Sequence, residues 1–220
     1  MAFKTPGLFV QVSGKKTNGG DPQKRQEWLE VKLPQLKKRV SEEGGVLMYE
    51  DEASFQVSGT TTRSWQGKGK GNGHEVRQKA CREKISVFGA VTVEKNPRFH
   101  FRIVEVFNAM TFLTFLKQLV RQYKRKIFLV LDNARYHHAI LLREWLEANR
   151  GRIELYFLPA YSPDFNAQEC VWRITRRKST HNRYFSNKKS LRETIFRRFN
   201  RFQGNPASLR GIIKPFMRGM

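Results

Sequence analysis

The segment Ile127-Phe-Leu-Val-Leu-Asp-Asn-Ala-Arg-Tyr-His137 opens the part of the chain that decides its fold, which extends to Trp172. Its first five residues are all apolar, a run that predicts a strand buried on both faces of a parallel sheet. The spacing of apolar residues then predicts a helix over 138–149, which Gly151 is placed to end. A second apolar run at 153–158 predicts another strand. Together these elements form a strand-helix-strand unit.

This unit fixes the position of Asp132. A strand-helix-strand crossover is right-handed in nearly all proteins and makes its two strands parallel. Asp132 ends the first strand, at the carboxyl edge of the sheet, where open α/β sheets hold their ligands. After the second strand, residues 159–166 are rich in Pro, Ser and Asn, which predicts a loop, and 169–178 has a helical pattern. We therefore expect Asp132 to take part in chemistry.

Acidic residues occur in three separate blocks of this chain. The blocks are Met48-Tyr-Glu-Asp-Glu-Ala-Ser-Phe55, Leu131-Asp-Asn-Ala-Arg-Tyr-His137 and Leu158-Pro-Ala-Tyr-Ser-Pro-Asp-Phe-Asn-Ala-Gln-Glu-Cys-Val-Trp172. In this order they resemble the blocks of DDE transposases, and most closely those of the bacterial insertion-sequence branch of the mariner-like superfamily. The resemblance covers about residues 21–202. It departs at Phe165, Ala167 and Gln168, where the family usually has Leu, Pro and Ile, and it leaves the acidic residues in place.

The resemblance implies a fold class and a set of site residues. The fold is α/β, a ribonuclease-H-like mixed sheet flanked by helices, with a basic helical extension at the carboxyl end. In such a fold the strand at 46–49 lies parallel to the strand before Asp132, so that Asp51 and Asp132 converge. The family pattern adds Glu169. These acids are separated by 81 and 37 positions, and the second separation agrees with the close spacing of the family's last two acids.

The expected chemistry is metal-dependent cleavage of a phosphodiester. Two divalent ions about 3.5 to 4 Å apart activate a water molecule and stabilise the charge on the attacking and leaving oxygens. Hard oxygen ligands suit Mg²⁺ or Mn²⁺, and three carboxylates suffice because Mg²⁺ keeps several of its own waters. We expect Asp51, Asp132 and Glu169 to be both the catalytic residues and the metal ligands. The resemblance implies that hydrolysis frees a 3′ hydroxyl at the element's end and that this hydroxyl then attacks target DNA.

Both aspartates of this set have competing interpretations. Asp132 also fits an Asp-Asn turn that merely ends a strand, which would be the default outside this three-block context. Glu50 and Glu52 flank Asp51, but alternation along a strand places them on the opposite face of the sheet.

Polar residues in the second and third blocks are further candidates for site residues. Asp164 competes with Glu169, and we interpret Asp164 as a structural loop or cap residue. Asn133 and His137 lie close to Asp132 and could touch metal-bound water or the DNA backbone. We leave both outside the catalytic set, because a surface histidine beside a helix start is at least as good an interpretation. Trp172 is interpreted as a core residue.

The charge of the chain points to a polyanionic partner. Its 220 residues carry a net charge of +23 and give a pI near 10.5, which is typical of proteins that bind nucleic acid. The segment 173–220 alone has 14 Lys and Arg against one acid, Glu193. We expect this segment to contact DNA, although a charged helix face is usually only solvated.

The remaining composition excludes several classes of protein. The two cysteines, Cys81 and Cys170, form no CxxC motif and indicate neither a disulfide framework nor a cysteine-based zinc site. No apolar run approaches the roughly 18 residues of a membrane span, and the amino terminus has no signal-peptide pattern. We expect a cytoplasmic, nucleoid-associated bacterial protein.

Further elements are predicted before the central segment. Residues 1–45 are interpreted as a linker, with a short edge strand at 8–12, followed by a helix that Asp21-Pro22 caps. Pro34 should kink or split this helix, and Gly44-Gly45 ends it. Residues 63–84 are basic and rich in glycine, which predicts a mobile loop able to lie along a phosphate backbone or simply to be solvated.

Apolar patterns predict a hairpin and two more helices. The hairpin comprises strands at 85–93 and 98–107. A helix before the central segment is marked by Phe112, Leu116, Leu119 and Tyr123. A second helix over 187–203 has an apolar stripe, formed by Leu191, Ile195, Phe199 and Phe202. Its arginines lie outside the stripe: Arg192, Arg197, Arg198 and Arg201.

The predicted organisation is a catalytic domain at 46–203, with the linker and helix of 1–45 before it and a basic tail at 204–220. The expected partners are double-stranded DNA, both element ends and target, and a second copy of the chain. Relatives normally carry helix-turn-helix modules ahead of this domain. We therefore expect a fragment, a decayed copy, or a recognition module encoded separately.

The alternatives to an active transposase are an inactive remnant that only binds DNA and, less well supported, a general nuclease or RNA-cleaving enzyme.

Overall fold

The computed structural model describes residues 20–62 and 81–217. Within these ranges, one mixed sheet of five strands forms the centre of the molecule. In chain order the strands are Val46–Gln56 (β1), Lys84–Thr92 (β2), Phe99–Val104 (β3), Ile127–Leu131 (β4) and Ile153–Phe157 (β5). Their order across the sheet is β3-β2-β1-β4-β5. The apolar runs at 46, 85, 98, 127 and 153 therefore all become strands, as predicted.

The sheet has an antiparallel half and a parallel half. β2 pairs antiparallel with both β1 and β3, which confirms the predicted hairpin. β4 lies parallel to both β1 and β5, which confirms the strand-helix-strand unit and the parallel neighbours. Val46 pairs with Ile127. Asp51 and Asp132 each follow one of these paired residues by five positions, so the register brings the two aspartates to the same level of the sheet.

β1 is longer than its apolar run. The run ends at Tyr49, but the strand continues to Gln56 because its second half pairs with β2, for example Asp51 with Gly89. Asp51 therefore lies inside a strand, whereas Asp132 follows the end of one. The pairing of β1 with β4 stops at Tyr49, so β4 does not cover the edge of β1 beside Asp51.

Seven α-helices occur in the described part of the chain. They are Pro22–Glu27 (α1), Leu33–Glu42 (α2), Ala109–Gln122 (α3), Ile140–Ala148 (α4), Ala167–Thr175 (α5), Lys188–Gly204 (α6) and Pro206–Ile213 (α7). Short helical turns accompany them: the π-helical turns Trp28–Lys32 and Arg176–Thr180 and the 3₁₀ turns Arg135–His138, Pro163–Phe165 and Lys214–Met217. The helices predicted from residues 138 and 169 thus begin at Ile140 and Ala167.

Helices cover both faces of the sheet. Alternate side chains of β1 belong to different apolar clusters: Leu47 packs with α2, α5, α6 and α7, and Met48 packs with α3 and α4. All five residues of β4 are completely buried, as expected for a strand covered on both faces. Trp172 lies in the first cluster, where its ring contacts those of Phe55 and Phe99 edge to face. Trp172 is therefore a core residue, as predicted.

Pro34 divides the first helical segment, as the sequence indicates. The side chain of Asp21 caps α1 by accepting hydrogen bonds from the N–H groups of Gln23 and Lys24. A π-helical turn then precedes α2, and the N–H of Leu33 bonds to the carbonyl of Trp28, five residues back. A proline cannot donate to the carbonyl four residues before it and its ring collides with that group. The wider turn relieves this conflict without ending the segment.

The carboxyl-terminal helices pack against the same core. The predicted apolar stripe of α6 is buried, and α7 adds Leu209 and Ile213 to the first cluster. The basic helical extension is therefore present, while the domain boundaries at 45 and 203 stay predictions.

The predictions for residues 8–12 and 63–80 lie outside the described residues. Within the two described ranges, none of the helices has the length and apolar character that a membrane span requires.

Candidate active site

Three separate elements bring the selected acids to one place. Asp51 lies on β1, Asp132 directly follows β4, and Glu169 lies in the first turn of α5. All three line an open cavity of about 420 Å³ beside the end of β4. The loop that joins β5 to α5 completes its wall. The structure thus assembles the three acids that the sequence analysis selected, and their catalytic role stays a prediction.

A larger cavity, of about 730 Å³, lies beside the amino-terminal end of β1. Its charged lining residues include Glu94 and Arg125. These two side chains form an ion pair with each other, with N and O 2.5 Å apart. Among the described residues, Glu94 is the only acid that lines this cavity, and it is already paired. The described lining of the larger cavity therefore offers no comparable set of metal ligands.

Asp51 is less exposed than Asp132. It lies on the face of β1 that carries Tyr49 and Ala53, as strand alternation predicts. Burial raises the pKa of Asp51 well above its ordinary value, and the negative charges of Glu169 and Glu52 raise it further. Its Oδ2 is buried and has no hydrogen-bond partner among the described residues. A cation in the cavity would remove both penalties.

The surroundings of Asp132 favour its ionised form, in contrast to those of Asp51. Its side chain is 54% exposed, and its Oδ1 accepts a hydrogen bond from the N–H of Ala134 at 2.9 Å. Nδ1 of His137 lies 3.4 Å from the same Oδ1. The contact with His137, assisted by the Ala134 N–H, lowers the pKa of Asp132 although burial opposes this shift. Asp132 is therefore an ionised carboxylate with a fixed orientation.

Asn166 places the helix that carries Glu169. It is the N-cap of α5, and its Oδ1 accepts a hydrogen bond from the N–H of Gln168 at 3.0 Å. Its Nδ2 donates to the carbonyl of Glu50 at 2.8 Å, so the start of α5 is attached to β1 next to Asp51. This role is not among the predictions from the sequence. An Asn directly before a helix is a recognisable cap, but its bond to β1 has no local signal.

Arg25 on α1 fixes the loop between β5 and α5. Its guanidinium donates two hydrogen bonds to Asp164, at 2.7 and 3.1 Å, and one to Oγ of Ser162 at 2.9 Å. The guanidinium also lies 4.3 Å from the ring centre of Phe165. Asp164 is absent from the lining of the cavity and pairs with Arg25, in line with its interpretation as a structural residue.

His137 lies behind Asp132 and is buried. Its side chain has no exposed area, so the interpretation as a surface histidine is wrong: the 3₁₀ turn before α4 directs the ring inward against Phe112. Nε2 of His137 lies 3.3 Å from Oε1 of Glu52. Although burial opposes protonation, the contacts with Asp132 and Glu52 raise the pKa of His137 to about 9.

The outer face of α6 is cationic, as predicted. Arg192, Arg197 and Arg201 are exposed, and the glutamate between them, Glu193, is the only acid of this helix. Arg198 is less exposed and donates a hydrogen bond to Oγ of Ser179 at 3.0 Å. Three guanidinium groups therefore remain accessible to a polyanion.

Comparison with known proteins yields one matching family. A family model described as DDE superfamily endonuclease matches residues 46–192. This range contains all three carboxylates of the cavity. No curated protein matches the chain.

Several similar solved structures contain the Mos1 transposase. The Mos1 strand transfer complex has a TM-score of 0.54 and 18% identity, over 90% of this chain and 62% of that one. The mariner Mos1 paired end complex with Mg has a TM-score of 0.59 and 16% identity, over 98% and 66%. The Mos1 catalytic domain with Raltegravir and Mn has a TM-score of 0.52 and 13% identity, over 89% and 94%.

At these identities the likeness shows a shared fold, which confirms the predicted ribonuclease-H-like class. The chain spans less than two thirds of the Mos1 chains in the first two complexes. It covers nearly all of the catalytic domain in the third.

Proposed function

The chain belongs to the DDE superfamily of endonucleases, and on this basis we propose that it is the catalytic part of a transposase. It cleaves DNA strands at the ends of an insertion sequence and transfers them to target DNA. The observation that carries this proposal is the convergence of Asp51, Asp132 and Glu169 on one open cavity. A DDE endonuclease requires three carboxylates in such a position, and they come here from three distant parts of the chain.

The donor set of the cavity fits divalent metal ions. Asp51, Asp132 and Glu169 offer hard carboxylate oxygens, which suit Mg²⁺ or Mn²⁺. The buried, unpartnered Oδ2 of Asp51 is the kind of atom that a cation satisfies. When two such ions are bound, they supply an activated water and stabilise charge at the scissile phosphate.

The residues of the chain prepare the site for these ions. The N–H of Ala134 and the ring of His137 hold Asp132 ionised and correctly oriented. Asn166 attaches the first turn of α5 to β1, which holds the backbone that carries Glu169 next to the strand that carries Asp51. Preorganised ligands of this kind reduce the reorganisation that metal binding would otherwise require.

Double-stranded DNA is the proposed substrate. The net charge of +23 attracts phosphates, and the exposed arginines of α6 offer direct contacts. Contacts to phosphate position a protein without reading bases, so a separately encoded helix-turn-helix module would select the element ends. The paired end complexes of Mos1 support an assembly of two copies, one for each end. In this proposal the protein acts on DNA in the bacterial cytoplasm.

Cleavage of supercoiled plasmid by the purified chain, with Mg²⁺ or Mn²⁺, tests this function. We expect metal-dependent nicking that Asp132→Asn abolishes. Glu147→Gln is the charge-matched control, because Glu147 is 73% exposed on α4, and it should cut like the wild type. DNA binding is measured on the same samples. Binding without cleavage in either metal would replace the proposal by the alternative, an inactive remnant that only binds DNA.

A further inference from the structure

A second polar cluster lies on the other face of the sheet. Glu50 and Glu52 flank Asp51 on β1 and therefore project toward α3 instead of toward the cavity. His137 meets them from the 3₁₀ turn after β4. One carboxylate oxygen of Glu50, one of Glu52 and one ring nitrogen of His137 lie within 4.8 Å of one another. Apolar residues, among them Phe112, surround this cluster.

The cluster contains polar atoms that the protein itself leaves unsatisfied. Glu50 is fully buried, and neither of its carboxylate oxygens has a hydrogen-bond partner in the described part of the chain. Oε1 of Glu52 and Nε2 of His137 are also buried, and they form no hydrogen bond there beyond their mutual ion pair at 3.3 Å. Native structures leave few buried polar groups unpaired, and each such group calls for a water, an ion or another explanation. Several of them side by side, with two carboxylates included, favour a cation.

We propose that Glu50, Glu52 and His137 form a second cation site, which binds one transition metal ion such as Zn²⁺ or Mn²⁺. One imidazole and two carboxylates suit these ions, whereas Mg²⁺ prefers a shell made of oxygen alone. Ligand atoms that bind one ion at about 2.0 to 2.2 Å are at most about 4.4 Å apart. The 4.8 Å limit of this cluster therefore requires side-chain shifts of only a few tenths of an ångström.

The contacts of His137 match those of a metal-bound histidine. A histidine that binds a metal through one ring nitrogen usually donates the other N–H to a carboxylate or a carbonyl. Nδ1 of His137 lies 3.2 Å from the carbonyl of Asp132 and 3.4 Å from its Oδ1, and Nε2 faces Glu52. An ion on Nε2 would fix the ring and leave the Nδ1 proton for Asp132. The second site would thereby orient a carboxylate of the cavity from behind.

Metal occupancy tests this site without reference to DNA cleavage. The chain with Asp51→Asn and Glu169→Gln, which weakens the cavity as a competing site, is equilibrated with Zn²⁺ or Mn²⁺ alone. We expect one bound ion per chain. Adding Glu50→Gln should weaken binding by at least about tenfold, while adding Glu147→Gln on the surface should leave it unchanged. Because Glu50 is buried, Glu52→Gln is the second variant should Glu50→Gln fail to fold.

The position of the ion is read from anomalous diffraction of wild-type crystals soaked in Zn²⁺ or Mn²⁺. A peak within bonding distance of Glu50, Glu52 and His137 supports the proposal. Peaks confined to the cavity of Asp51, or binding that neither Glu50→Gln nor Glu52→Gln weakens, would overturn it. Neither result depends on whether the chain cuts DNA, so failure here is distinguishable from failure of the proposed function.

Discussion

The side chain of Gln168, next to Glu169 of the candidate site, lowers the stability of the fold. Its amide is completely buried, and neither amide atom has a partner among the residues described. Leaving a buried amide unpaired costs about 1 to 3 kcal/mol. We expect Gln168→Leu, which keeps a similar shape without the amide, to raise the free energy of unfolding by about 1 kcal/mol.

Urea denaturation measures this difference. The exposed residue Gln23 provides the matched control, and Gln23→Leu should change stability by less than about 0.5 kcal/mol. A clear loss of stability in Gln168→Leu would contradict the interpretation that this amide is unsatisfied.

His100 gives the fold a dependence on pH. It is buried, and its Nε2 lies 2.7 Å from the hydroxyl of Tyr123. Burial, reinforced by the positive charge of Arg98, lowers the pKa of His100 from 6.5 to about 4. The pKa of His100 is depressed in the folded state. The contribution of neutral His100 to the free energy of unfolding is therefore fully present above pH 6.5 and is lost as the pH falls toward 4. We expect this loss to be on the order of 2 kcal/mol.

Denaturant unfolding between pH 7 and 4 checks this prediction against His100→Gln, since glutamine does not titrate and can still bond to Tyr123. The wild type should lose stability more steeply than the variant within that window. Parallel curves for the two proteins would show that His100 is not responsible.

At the scale of elements, Gly89 permits the contact between β2 and α5. A Cβ atom at this position would lie 2.4 Å from the ring of Trp172 and 2.7 Å from Nε2 of Gln168. Gly89→Ala should therefore displace α5, which carries Glu169, and should destabilise the fold by about 1 to 3 kcal/mol.

The melting temperature and the nicking rate of Gly89→Ala report this displacement, and both should fall. No atom of the described residues lies within 4 Å of a Cβ position at Gly151, so Gly151→Ala is the control and should behave like the wild type. If Gly89→Ala kept full stability and full nicking, the close packing of α5 on β2 would not matter to the site.

The sequence predicts those elements whose apolar pattern is local. The strands at 127 and 153 and the stripe of α6 follow from short-range periodicity, and the parallel pairing of β4 and β5 follows from the crossover rule. The parallel pairing of β1 and β4 follows only from the family resemblance. The apolar run of β1 ends at Tyr49 and does not by itself predict that the strand continues to Gln56. Only pairing with β2, which is remote in sequence, extends the strand.

The candidate site likewise contains residues that the sequence predicts and residues that it does not. The three carboxylates are identifiable because their blocks resemble a family. The supporting contacts are not, because they join residues far apart in the chain: Arg25 with Asp164, and Asn166 with Glu50. The burial of His137 likewise depends on the packing of Phe112 from a different helix. Long-range contacts of this kind leave no trace in local spacing.

At the scale of the whole molecule, charge should control DNA affinity. Each phosphate contact contributes about 0.9 to the slope of log affinity against log salt concentration. If Arg192, Arg197 and Arg201 contact phosphates, replacing all three by Gln should reduce that slope by about 2 to 3. Fluorescence anisotropy with a labelled duplex at several salt concentrations measures it.

The control for this experiment replaces Lys24, Lys38 and Arg150, three exposed cations paired with nearby acids. It removes the same charge and should change the slope less. Equal reductions in the two variants would mean that α6 has no special part in binding DNA.

If Asp51, Asp132 and Glu169 act together as one metal-dependent cleavage centre, loss of any one carboxylate should abolish cleavage, and plasmid nicking by single variants measures this loss. Asp51→Asn, Asp132→Asn and Glu169→Gln are each compared with the wild type in Mn²⁺, after equal folding has been verified by thermal melting. We predict that each substitution lowers the rate by more than about 100-fold while DNA affinity is retained. Nicking that persists at the wild-type rate in any one of the three variants would show that these carboxylates do not form one cleavage centre.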